Sequence, residues 1–207
     1  MQGVDYMTFV VPGLVMLSIV TSAYANTSFT FFTSKFFARS IDEILVSPTP
    51  PWLLIVGFIG GGVVRGFLTG TLVLLVALFF TEISLSVTSA LIIAGFAFLT
   101  ALVFALAGLV NGIYAKSMDG ISIVPTFVLT PLVCLGGVFY SIHALPEWWQ
   151  TLTYANPLFY LINGFRYGFL GVADVSLWLS FLVLFSLIGV LGSVNWYLIR
   201  TGLGLKQ

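Results

Sequence analysis

Charge is what this sequence has least of. Lys, Arg, Asp and Glu make up 7% of its 207 residues, where an ordinary soluble domain carries roughly 25%. Seven basic and seven acidic side chains cancel, so the chain offers no electrostatic footprint for nucleic acid. A single cysteine, Cys134, excludes an internal disulfide, and its place in an apolar run reads as a small buried residue. A single histidine, His143, cannot build a zinc site with one distant cysteine, and it reads as interfacial. No G-x-x-x-x-G-K-[ST] loop occurs, which excludes ATP binding by that route. Glu147 and Asp174 stand near His143 without a nucleophile motif, so an intramembrane enzyme is set aside. The sequence therefore points to no bound cofactor, no metal and no catalytic set of its own.

Long apolar runs fill the space instead. Hydrophobic residues reach 59% and the mean hydropathy is +1.14, which makes this an integral membrane protein with the lipid bilayer as its solvent. The runs far exceed the ~10 residues of a barrel strand, and backbone groups in lipid must then be satisfied within helices. The expectation is one all-α domain over residues 1–207. It is a polytopic helical bundle with spans at about 7–32, 52–80, 88–115, 121–142 and 176–199. Ala23-Tyr24-Ala25 resembles a signal-peptidase site, but no basic residue precedes the first run and that run continues through Phe31 and Phe32.

Several spans carry internal signals. Gly62, Gly66 and Gly70 recur every fourth residue and predict a smooth strip for close helix packing; Gly108 and Gly112 repeat the pattern. Arg65 has two readings: it snorkels to the headgroups, or it stands at the mouth of a substrate path. The fourth run contains Pro125, Pro131 and Gly136-Gly137, which predicts a bent helix that lines a path.

Between the first two runs lies KFFARSIDEILVSPTPP. Ser40 with Glu43 forms a capping-box pattern, Asp42 and Glu43 suit a helix start, and Ile41, Ile44 and Leu45 share one face. Pro48 and the prolines after it end this helix of about two turns, too short to hold without a surface to rest on. That surface is either lipid headgroups or a partner protein. Basic residues favour the cytoplasm. Lys35, Arg39, Lys116, Arg200 and Lys206 all fall on the side of this connection, which places it inside and places Met1 outside.

The stretch from Leu145 to Gly171 is too polar to cross lipid and too apolar for water. Rings such as Trp148, Trp149, Tyr154 and Tyr160 collect at a membrane boundary, and Pro146 and Asn156-Pro157 interrupt the backbone. It reads as two short helices dipping into the outer leaflet and joined near Asn156-Pro157. Arg166, within it, has two readings: part of an exit gate, or a structural partner of Glu147, Asp174 or helix-end carbonyls.

The order Leu145-Pro146, Trp149-Gln150, Asn156-Pro157-Leu158, Tyr160, Gly164, Arg166 and Gly171 resembles the outer re-entrant signature of ABC-2 type permeases, and Leu45-Val46-Ser47-Pro48 resembles their cytoplasmic loop. The likeness covers essentially all 207 residues and is nearest to the enterobacterial inner-membrane type. It implies a multi-pass protein of the bacterial inner membrane, the permease subunit of an ATP-driven exporter. It implies a homodimer with two copies of an ATP-binding subunit, and ATP and Mg held by that partner. Ser40, Ile41, Asp42, Glu43, Ile44, Leu45, Val46 and Pro48 then form the coupling helix. Pro146, Trp149, Asn156, Pro157, Tyr160, Gly164 and Arg166 then form the outer gate. Such permeases have six spans and a cytoplasmic amino end, so the resemblance also implies that the first span is missing here. The rival reading is a channel or scaffold with no energy source. A channel would show polar residues along several spans, and only Arg65 and Asn111 qualify.

Overall fold

A helix in lipid satisfies its own backbone, and all regular structure among the described residues is helical. The computed structural model describes residues 6–37, 41, 49–79, 87–138, 142 and 146–204. The helices are α1 (Tyr6–Phe36), α2 (Pro51–Leu78), α3 (Val87–Tyr114), α4 (Met118–Val124), α5 (Thr130–Leu135), α6 (Glu147–Ala155), α7 (Pro157–Leu170) and α8 (Leu177–Thr201). Five stretches are long and apolar enough to span: Thr8–Phe36, Pro51–Leu78, Val87–Tyr114, Met118–Leu135 and Leu177–Thr201. At ~1.5 Å per residue, the 25 to 29 residues of the four longest exceed the ~30 Å of a hydrocarbon core.

Two spans differ from the sequence expectation. The first helix runs on to Phe36, because nothing between residues 32 and 36 breaks it and Lys35 suits the negative end of a helix. The fourth ends at Leu135 rather than near 142, and it is composite. A π-helical turn, Pro125–Leu129, separates α4 from α5, with the Thr130 amide bonding back to the Pro125 carbonyl. Pro131 has no amide hydrogen and its ring crowds the preceding turn, so the helix widens there instead of continuing. Gly136 and Gly137 then end it, Gly137 at φ +81°.

α1 is the post around which the bundle is built, and it packs on both α2 and α3. Gly62, Gly66 and Gly70 of α2 lie against Thr27, Ala23 and Ile19 of α1. Gly108 and Gly112 of α3 lie against the Tyr24 and Ser28 carbonyls on a neighbouring face. A Cβ on Gly66 would come within 2.9 Å of the Ala23 Cβ, so no larger residue fits without prying the helices apart. Lipid tails are as apolar as leucine, so close backbone contact of this kind replaces the hydrophobic drive between helices. The outward sides of α2 and α8 carry Leu68, Leu72, Leu75, Trp178, Leu182 and Phe185, as a lipid-facing surface requires.

Cys134 is exposed on α5, contrary to the reading of it as a small buried residue. Val133 takes the inward position instead. An apolar run in a membrane helix does not reveal which of its faces turns toward protein.

Replacing Gly66 by leucine is expected to destabilise the detergent-solubilised protein by about 1–3 kcal/mol through overpacking against Ala23. Gly57, with nothing within 4 Å of a built Cβ, serves as the control. There, alanine should leave the thermal midpoint unchanged or raise it through better helix propensity.

Candidate functional site

Two clusters of polar contacts sit at opposite ends of the bundle, one around Arg166 and one around Lys35. The first is built by the re-entrant pair α6–α7. Pro146 opens α6 and Pro157 opens α7, where their missing amide hydrogens cost nothing. Asn156 stands between the helices with extended backbone (φ −82°, ψ 115°). Its side-chain oxygen accepts from the Leu158 amide at 3.0 Å, and its amide donates to the Leu132 carbonyl at 2.6 Å. One residue thus caps α7 and fastens the hairpin to α5. Trp148 and Trp149 stack 4.2 Å apart on α6, Trp148 exposed and Trp149 half-buried. The Tyr160 hydroxyl donates to the Tyr154 carbonyl across the turn, at 2.9 Å.

α7 enters the bundle because its small residues let it. Gly164 sits against the Phe96 ring of α3 and Gly168 against Ile93, where a side chain would collide. Behind them Asn163 and Arg166 are both buried. Asn163 uses both ends of its amide: the oxygen accepts from the Asp174 and Val175 amides at 2.7 and 3.3 Å, and the nitrogen donates to the Val175 carbonyl at 2.9 Å and the Ser180 hydroxyl at 3.3 Å. Arg166 donates to the Gly137 carbonyl at 2.6 Å, lies 3.6 Å from Asp174, and rests its guanidinium 4.1 Å over the Phe9 ring. Of the carboxylates named from sequence, Asp174 rather than Glu147 is the partner. Burying a guanidinium is costly unless it is paired and hydrogen-bonded, and here one side chain joins α1, the end of the α4–α5 helix, α7 and the turn before α8.

At the other end, the Lys35 ammonium donates to the Ile113 carbonyl at 3.0 Å and to the Gly204 carbonyl. It gathers the last turns of α1, α3 and α8, the negative ends of three helices. Asn111 joins the same region to α1 and α4 by donating to the Ser28 hydroxyl at 2.9 Å and the Ile121 carbonyl at 3.1 Å. Ile41 is buried beside Phe31, Ile55, Ile59 and Leu198. Ser40, Asp42, Glu43, Ile44, Leu45, Val46 and Pro48 lie outside the described residues. Arg65 is exposed on α2, with its guanidinium bonded to the Asn26 carbonyl oxygen of α1 at 3.1 Å.

Sequence reasoning missed Asn163, Lys35 and Asn195. The last is fully buried on α8 and donates to the Leu106 carbonyl of α3 at 3.0 Å. The available signal was an amide within an apolar helix, which must find partners when water is absent. Among the described residues no three His, Cys, Asp or Glu side chains come together as a metal donor set.

Asn163 and Arg166 both hold the turn at Asp174, so their losses should not add. Asn163→Ala and Arg166→Ala are each expected to lower stability, the latter by about 3–5 kcal/mol as for a broken buried pair. A double-mutant cycle by thermal unfolding in detergent should return a coupling of about 0.5 kcal/mol or more. Strict additivity would mean that the two side chains support different parts of the fold.

The sequence profile of the ABC-2 type transporter matches residues 2–170. The inner membrane transport permease YadH of Escherichia coli K12 is 51% identical over 207 residues, which is all of this chain and 80% of that protein. Nodulation protein J of Rhizobium leguminosarum bv. viciae is 27% identical over 93% of this chain and 74% of its own length. The probable multidrug ABC transporter permease YbhR of Escherichia coli is 23% identical over 96% of this chain and 54% of its own length. Five lipid-length helices and these likenesses fit a multi-pass protein of the inner membrane. The chain belongs to the ABC-2 type transporter family, the membrane components of ABC transporters.

Proposed function

We propose that this chain is the permease subunit of an ATP-driven exporter. It works as a homodimer with two copies of a separate ATP-binding subunit, which supplies the ATP and Mg sites. The segment Ser40–Val46, with Pro48 ending it, is the coupling element that docks on that subunit from the cytoplasm. The observation that carries this reading is the burial of Ile41 among Phe31, Ile55, Ile59 and Leu198. A docking segment transmits force only if it is anchored to the helices it is to move, and Ile41 anchors this one to α1, α2 and α8.

The glycine strip makes α1 and α2 a single lever, because helices packed backbone to backbone tilt together. Lys35 passes the same displacement to the ends of α3 and α8. Cargo leaves between the two permease copies, past the re-entrant pairs formed by Pro146, Trp149, Asn156, Pro157, Tyr160 and Gly164. Arg166 holds each pair in place from within its own protomer. The composite α4–α5 helix exposes Ser122, Thr126 and Thr130, the hydroxyls expected of a helix that borders a path.

Affinity purification of the full chain from its native membranes tests the assignment. An ATPase carrying the phosphate loop should co-purify. Replacing Glu43 and Leu45 together by alanine should lower its recovery by about tenfold, which corresponds to ~1.4 kcal/mol of docking energy. Undiminished recovery would remove the docking role from this segment. Recovery of the permease with no ATPase at all would favour a channel or scaffold.

A further inference from the structure

Arg65 stands in the middle of its helix. It is 14 residues from Pro51 and 13 from Leu78, about 20 Å from either end at ~1.5 Å per residue. Its guanidinium points across to α1, where Asn26 accepts its hydrogen bond at 3.1 Å, and not along α2 toward a headgroup. Asn26 itself lies ten residues inside the Phe36 end of α1, about 15 Å from it. A snorkelling arginine extends its stem toward water; this one is tied at depth. An exposed charge at mid-bilayer costs several kcal/mol on insertion scales, so such groups face a cavity or a pathway.

The surface beside it differs from every lipid-facing surface of the bundle. The uncovered side of α1 presents Ser18, Thr21, Ser22, Ala25 and Asn26, all exposed or half-buried and none larger than asparagine. The uncovered sides of α2 and α8 present leucine, valine, phenylalanine and tryptophan. Among the described residues Arg65 has Asn26 as its hydrogen-bond partner and forms no ion pair with a carboxylate. Its charge is therefore left for a ligand.

We infer that this face of α1 lines a water-filled path through the membrane, and that Arg65, held out from α2 by Asn26, selects cargo bearing a negatively charged group. This rests on the transport reading above and specifies the sign of the cargo's charge. Asn26 is a positioning residue, since its carbonyl oxygen fixes the guanidinium toward α1. Helix α1 is also half of the lever described above, so the path would change shape as the lever tilts.

The test uses the full chain in native membranes with Cys134→Ser as background, because Cys134 is exposed. Single cysteines replace Ala25 on the polar face and Leu182 on the lipid-facing side of α8. They are probed with anionic, cationic and neutral methanethiosulfonates. A thiol in lipid stays protonated, so Ala25→Cys should react about tenfold or more faster than Leu182→Cys. It should also favour the anionic over the cationic reagent by about threefold or more, as a local positive field requires. Arg65→Gln should abolish that preference without slowing the neutral reagent, and Arg65→Lys should keep it. Equal rates at the two cysteines would place the face against lipid and overturn the proposal. A disulfide forming between two copies of the Ala25→Cys chain would show a second copy seated there and overturn it as well. An anion preference that survives Arg65→Gln would remove the role given to Arg65. The ATPase takes no part in these measurements, so the path and the docking segment can fail separately.

Discussion

Contact between α1 and its two neighbours is the constraint on which the bundle depends. Lipid offers no reward for bringing two apolar helices together, so association rests on dispersion, hydrogen bonds and the closeness of approach. Residues 19, 23 and 27 of α1 meet a glycine strip of α2, and residues 24 and 28 meet a second strip on α3. The two strips clamp α1 from neighbouring directions. The rest of the bundle is then positioned against that three-helix unit: α7 reaches α3 through Gly164, and α8 reaches α3 through Asn195.

The polar residues are placed where the apolar packing ends. Water is absent from the bilayer core, so an unpaired amide or guanidinium there is expensive, and a paired one is correspondingly informative. Asn163 and Arg166 bind the re-entrant pair to its surroundings at one end. Lys35 and Asn111 bind three helix ends together at the other. Between these two tied ends the helices meet mainly through small and apolar surfaces, the arrangement a bundle needs if it is to move in segments without losing its register. Arg65 breaks that pattern, and its hydrogen bond to Asn26 explains why it remains extended at depth.

Much of this was legible in advance, for physical reasons. Hydropathy fixes where a helix crosses, because insertion depends on summed transfer energy and not on neighbours. Spans two, three and five accordingly fall within two residues of expectation at the ends the structure describes. Asn156-Pro157 marks the re-entrant turn because a proline restricts the residue before it. The inward faces were harder to read. Cys134 and Val133 look alike in an apolar run, and only packing distinguishes the exposed one from the buried one. Proline and glycine in the fourth span announced a bend but not a π-helical turn, whose extra residue per turn follows from how Pro131 is accommodated.

The sequence by itself determined that the chain lives in lipid, that it is helical, how many of its runs can cross and where the re-entrant pair lies. Each of these follows from local composition acting on a uniform solvent. Which helix is the central post, which carboxylate pairs with Arg166, and which way Arg65 points were decided only by the tertiary structure. Those choices are made between groups 29 to 78 residues apart in the chain, as when Gly137 meets Arg166 or Lys35 meets Ile113. A solvent as apolar as the side chains imposes no periodicity that would reveal such meetings beforehand.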